Sequence, residues 1–86
     1  MAITVKKATA ADKNAMQAHP TWGCGVSEFD WYYDAEEVCL ILEGEVTVSY
    51  DGGSVTINEG DYVVFSQGLS CVWQVTKPIK KHYFFR

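Results

Sequence analysis

Eighty-six residues allow one domain, near the lower limit for burying a self-sufficient core, so pairing into a homodimer is an expected source of stability. A net charge of −4 argues against a general affinity for nucleic acid, whose phosphates need basic clusters, and no apolar run nears the roughly 20 residues of a membrane-spanning helix. Neither nucleic acid nor membrane is therefore an expected partner, and three Trp, five Tyr and four Phe point instead to sheet surfaces and an enclosed cavity.

Ile3 to Lys7 alternates weakly and reads as a first strand. The Ala-rich stretch Thr9 to Ala18 reads as a short helix or arm that Pro20 ends, giving an N-terminal arm over 1–20 and a main unit over 21–86. After Pro20 the texture turns to dense β-formers cut by turn residues, the signal of an all-β fold. Strands are expected over Trp22 to Phe29, Trp31 to Tyr33, Glu37 to Leu42, Glu45 to Tyr50, Ser54 to Ile57, Tyr62 to Phe65, Cys71 to Thr76 and Lys80 to Phe85. Asp51-Gly52-Gly53, Glu59-Gly60-Asp61 and Gln67-Gly68 supply the turns. The run VCLIL is apolar at both parities, which marks a central strand covered on both faces.

Every charged residue from Glu28 to Asp61 is acidic, while Lys6, Lys7, Lys77, Lys80, Lys81 and Arg86 lie near the ends. This reads as a solvated acidic face beside basic end strands, or as steering of a cationic ligand. The three cysteines are scattered with no C-x-x-C pair, and no basic start followed by an apolar middle marks a secretory leader. A reducing, cytoplasmic compartment is expected, though a trimmed organelle-targeting peptide would leave no trace.

Two glycine-framed segments carry the strongest signal. The first reads Gly25-x5-Trp31-x-Tyr33-x3-Glu37-x6-Gly44, and the second Gly60-x5-Ser66-x-Gly68-x2-Cys71-x3-Val75. Every glycine falls in the register of the two cupin motifs, G-x5-H-x-H-x3-E-x6-G and G-x5-P-x-G-x2-H-x3-N. Together with FDWYYDAEEVCLILEGEVTV, EGDYVVFSQGLSCVWQV and a K-x-Y-F ending, residues 21–86 resemble the small single-domain cupins related to the (S)-ureidoglycine aminohydrolase cupin domain. The resemblance implies a small antiparallel jelly-roll (double-stranded β-helix) barrel with a short N-terminal arm.

A metal-holding cupin uses three imidazoles and a carboxylate, and of that set only Glu37 is present. Trp31, Tyr33 and Cys71 stand where the imidazoles would be, so no resident metal or other cofactor is expected. A thiolate-rich zinc site of Glu37, Cys39 and Cys71 is the alternative. Register puts Glu37 rather than Glu36 on the cavity side, because strand neighbours face opposite ways. Enclosure by rings would suit the carboxylate of Glu37 to proton transfer, making it the catalytic candidate. Cys71 lacks an activating cation or His and reads as an inert core thiol. Cys24 reads as a spectator, His19 as a loop residue, and His82 as facing either the barrel with Phe84 or solvent.

Trp31, Tyr33, Glu37, Cys71 and Trp73 are thus the expected lining of a site for a small amine, ureido or heterocyclic molecule. Two other readings stay open at this level: an enzyme acting on a ureido or amino compound, and a non-catalytic interaction protein with a packed barrel.

Overall fold

The computed structural model describes residues 2–86. In chain order it contains β1 (Ile3–Lys7), α1 (Ala10–Met16), β2 (Thr21–Cys24), β3 (Ser27–Tyr32), β4 (Glu37–Tyr50), β5 (Gly53–Asn58), β6 (Asp61–Phe65) and β7 (Ser70–Phe85). Every strand pairing is antiparallel, as expected for an all-β barrel. Among the described residues no helix is long and apolar enough to cross a membrane.

The two long strands, β4 and β7, pair with each other and belong to both walls of the barrel. One wall runs β1-β6-β4-β7-β2 through the first part of β4 and the last part of β7. The other joins β5 and β3 to the remaining halves of the same two strands. Side chains from both walls meet in one core that includes Ile41, Val46, Val48, Ile57, Val63, Phe65, Trp73 and Val75.

Sequence texture predicts a break at Glu43-Gly44 and another after Thr76, yet both strands run through. The pairing instead slips at Glu43 to Val46, an irregularity that lets β4 bend from one wall into the other. It also switches parity: Glu37, Cys39 and Ile41 are buried before the corner, and Val46 and Val48 after it. β7 keeps one parity, with Cys71, Trp73, Val75, Ile79 and Lys81 all buried and Pro78 exposed at the bend. Two smaller differences concern Gly25, where the expected strand from Trp22 to Phe29 is interrupted, and Asp30, which β3 passes without a break.

β1 extends the first wall along β6. α1 is begun by a capping box, in which Asp12 N–H donates to Thr9 Oγ1 at 3.1 Å and Thr9 N–H donates to Asp12 Oδ2 at 3.0 Å. Met16 then packs on Val38 and Leu40, so before the corner the even positions of β4 are covered by the helix while the odd positions face the barrel. This is the burial on both faces that VCLIL predicts.

The corner depends on Gly44, which has φ +97° and whose absent Cβ would overlap the Pro78 carbonyl oxygen. Gly52, at the β4–β5 turn, has φ +107° but open space around it. Gly52→Ala is therefore expected to cost about 1–3 kcal/mol from backbone strain alone, and Gly44→Ala clearly more because β7 must also move. Urea denaturation of the two variants checks this, and equal losses would show that the corner is not held by close approach.

Candidate functional site

Glu37 begins β4 and Lys81 lies on the neighbouring strand β7, both pointing into the barrel. They are 3% and 5% exposed, and Lys81 Nζ donates to Glu37 Oε2 at 2.8 Å. Among the described residues this is the one side-chain hydrogen bond that the carboxylate makes. The ammonium also lies 4.7 Å from the Trp73 ring centre, 5.2 Å from Trp22 and 5.9 Å from Tyr83. A desolvated cation over an indole face gains about 2 kcal/mol or more, so the rings offset part of the cost of burying the charge.

Above the pair opens a cavity of about 210 Å³. Its other walls are Trp22, Phe29, Trp31, Tyr33, Trp73, Tyr83 and Phe85. The rings hold one another: Phe29 stacks on Trp73 at 6.0 Å, Trp22 meets Trp73 edge-on at 6.1 Å, and Tyr33 stacks on Phe65 at 4.7 Å. The Trp73 indole N–H donates to the Tyr33 hydroxyl at 3.1 Å. Tyr33 is fixed from behind as well, its N–H donating to the Leu69 carbonyl and its carbonyl accepting from Gly68 N–H. Trp31, 48% exposed, stands at the mouth with Trp22 and Phe85.

Of the residues singled out from sequence, Trp31, Tyr33, Glu37 and Trp73 line this cavity together. Cys71 is not in its wall; it borders a shallow groove with Asp30, Trp31 and Tyr50 on another side. Cys39 is fully enclosed in the core, where burial pushes its thiol up to about 12 despite the opposing pull of Lys81. Burial also raises Cys71, so neither thiol is primed as a nucleophile. Glu36 faces away from the barrel and accepts from Arg86 Nε at 2.7 Å. His82 and Phe84 lie on the helix side of β7, with His82 Nδ1 2.9 Å from the His19 carbonyl and His19 stacked on Phe84 at 4.4 Å.

Lys81, Tyr83 and Phe85 take the inward places instead. Sequence reading grouped Lys81 with the basic ends; carrying the odd parity of Trp73 and Val75 past Pro78 is the signal that finds it. Its presence also alters what Glu37 is: the carboxylate sits with a cation as well as with rings.

The residues do not suit a divalent metal. Indole N–H donates only, and Glu37 already faces an ammonium. The Tyr33 phenol is raised far above its usual range by burial and then by Glu37, which opposes the phenolate a metal would need. Among the described residues no three His, Cys, Asp or Glu side chains gather as a ligand set, so Glu37, Cys39 and Cys71 do not form one.

The EutQ-like cupin domain profile matches residues 11–83. A DUF861 family protein from Thermotoga maritima is 41% identical, with 99% of this chain aligned to 100% of that one at a TM-score of 0.93. A second DUF861 protein of unknown function, from Pseudomonas syringae, is 31% identical over 77% of this chain but only 29% of its own, at a TM-score of 0.69. The Clostridium difficile EutQ protein shares the fold at 15% identity and a TM-score of 0.70, over 96% of this chain and 66% of its own. No curated protein matches the chain.

Removing one partner of the buried pair should leave an uncompensated charge. Glu37→Gln and Lys81→Met are each expected to cost about 3–5 kcal/mol, and the double variant far less than their sum. Chemical denaturation of the four proteins closes the cycle, and additive losses would mean that the two charges are not coupled.

Proposed function

The chain belongs to the EutQ-like cupin family, and on that premise we propose that it binds a small, planar, polar molecule without a resident metal. The observation that carries this reading is a single buried acid–base pair at the base of an aromatic pocket. Rings on several sides favour a flat body. At its edge the ammonium of Lys81 can donate, and Glu37 keeps acceptor capacity beyond its one bond. A group with a carbonyl beside an N–H, as in an amide or a urea, complements both at once. Because Lys81 already occupies the cation position among the rings, an uncharged ligand fits better than the amine considered from sequence.

The same pair supports the enzyme reading on a ureido or amino compound. Glu37 and Lys81 are in direct proton-transfer contact, at a distance suited to general acid–base work. A packed, purely structural barrel is disfavoured by the open cavity of about 210 Å³. Pairing with a second copy belongs to the proposal too, supported by the exposed Val26, Trp31, Tyr32 and Phe85 side chains on so small a domain.

Phenylurea is a suitable first probe and is expected to raise the melting temperature. In calorimetry Glu37→Gln should weaken its binding by about 1.5–3 kcal/mol, the scale of a hydrogen bond to a charged group, while Glu36→Gln leaves it unchanged. Trp31→Ala, at the half-exposed rim, should weaken binding with little loss of fold. Equal affinities across all three variants would place the ligand elsewhere.

Sedimentation velocity at micromolar concentration is expected to give twice the 9.6 kDa chain mass. A single 9.6 kDa species would overturn the pairing.

A further inference from the structure

We propose that Lys81 is an imine-forming lysine, condensing through its ε-amine with a small aromatic aldehyde held in the pocket while Glu37 carries the protons. The inference rests on the reading of the cavity as a ligand site and adds a reaction to it. Among the lysines, Lys81 alone is buried, and it lines the cavity floor rather than the protein surface. Carbonyl condensation needs a neutral amine: the apolar pocket disfavours the charged form, and Glu37, which holds the resting ammonium, is the group placed to take its proton.

The resting pair is an ammonium and a carboxylate, joined at 2.8 Å. Transfer of one proton from Lys81 to Glu37 gives a neutral amine and a neutral acid, a pair that the apolar walls tolerate without net charge movement out of the site. The amine lone pair forms a C–N bond to the carbonyl carbon, the carbonyl π electrons move to oxygen, and an ammonium proton passes to that oxygen to give a neutral carbinolamine. Glu37 returns its proton to the carbinolamine hydroxyl, the C–O bond breaks, and water leaves. The product is a protonated iminium beside a carboxylate. Overall, one aldehyde is consumed and one water released, with no oxidant or reductant.

The end state is what the surroundings fit. The iminium carries the same single positive charge as the ammonium it replaces, next to the same carboxylate and the same Trp22, Trp73 and Tyr83 faces. The aldehyde's ring is taken up by the remaining space of the cavity, whose lining includes Phe29 and Phe85. The neighbouring Lys80 faces away, exposed on the other side of β7, and serves as an internal reference of ordinary amine chemistry.

The full chain is treated with benzaldehyde and sodium cyanoborohydride at neutral pH, and the reduced benzyl adducts are located by peptide mass spectrometry. Lys81 is expected to be labelled at least tenfold faster than Lys80, and Glu37→Gln to slow Lys81 at least tenfold while leaving Lys80 alone. Labelling of Lys81 no faster than Lys80 overturns the proposal, and this comparison needs no variant to fold. Phenylurea, which cannot condense, separates the two readings. If it stabilises the protein while Lys81 stays unlabelled, the imine is wrong and the binding site stands. If it neither stabilises the protein nor protects Lys81 from labelling, and Lys81 is not preferred over Lys80, both readings fall.

Discussion

A carboxylate and an ammonium taken out of water together constrain almost everything around them. The desolvation of two charges amounts to several kcal/mol per ion even after relaxation, and attraction across 2.8 Å recovers it only where the geometry is kept. The keeping is done by aromatic rings. Trp73 lies under the ammonium, Phe29 and Trp22 brace Trp73, and the Tyr33 hydroxyl fixes its indole edge. The pocket walls are therefore both ligand surface and support for the pair, so that a ring removed from one role is lost from the other.

The barrel's corner is the second condition for the site. Glu37 and Lys81 share a face because they are odd positions of directly paired segments, with Ile41 opposite Lys81 and Glu37 opposite Phe85; β7 carries that parity across Pro78 to Trp73, while β4 changes parity at the corner. Without the irregularity in β4, the residues that fill the far wall, Val46 and Val48, would point outward whenever Glu37 pointed in. One strand absorbs the mismatch so that two walls can share a core. The close passage of Gly44 over the Pro78 backbone is the physical mark of that arrangement.

Much of this was legible in the sequence, and the reasons differ from residue to residue. The turns at Gly52, Gly60 and Gly68 could be read because each needs a positive φ, a local requirement that composition exposes. The burial of VCLIL could be read because apolar residues at both parities admit few alternatives. The placement of Glu37 in the interior followed from the resemblance to the cupin motif, in whose register Gly25 and Gly44 set it at the carboxylate position. Lys81 was missed because a lysine among lysines near a chain end has the look of a solvated face, and nothing local reveals that aromatic partners from β2 and β7 surround it. The continuity of β4 and β7 was missed for a related reason: glycine and proline interrupt local patterns, while pairing with a long neighbour carries the backbone through. Cys71 matched a motif position yet opens onto another side, since motif spacing fixes where a backbone passes but not which wall a side chain borders.

The aromatic pocket also gives the protein a built-in optical reporter. The chain has three tryptophans, and Trp22, Trp31 and Trp73 all stand in the same cavity wall. Its entire indole emission therefore arises at one place, from rings that differ in depth: Trp73 is enclosed and hydrogen-bonded, while Trp22 and Trp31 meet solvent at the mouth. With no indole outside this wall, a ligand entering the cavity changes the surroundings of every tryptophan in the chain at once.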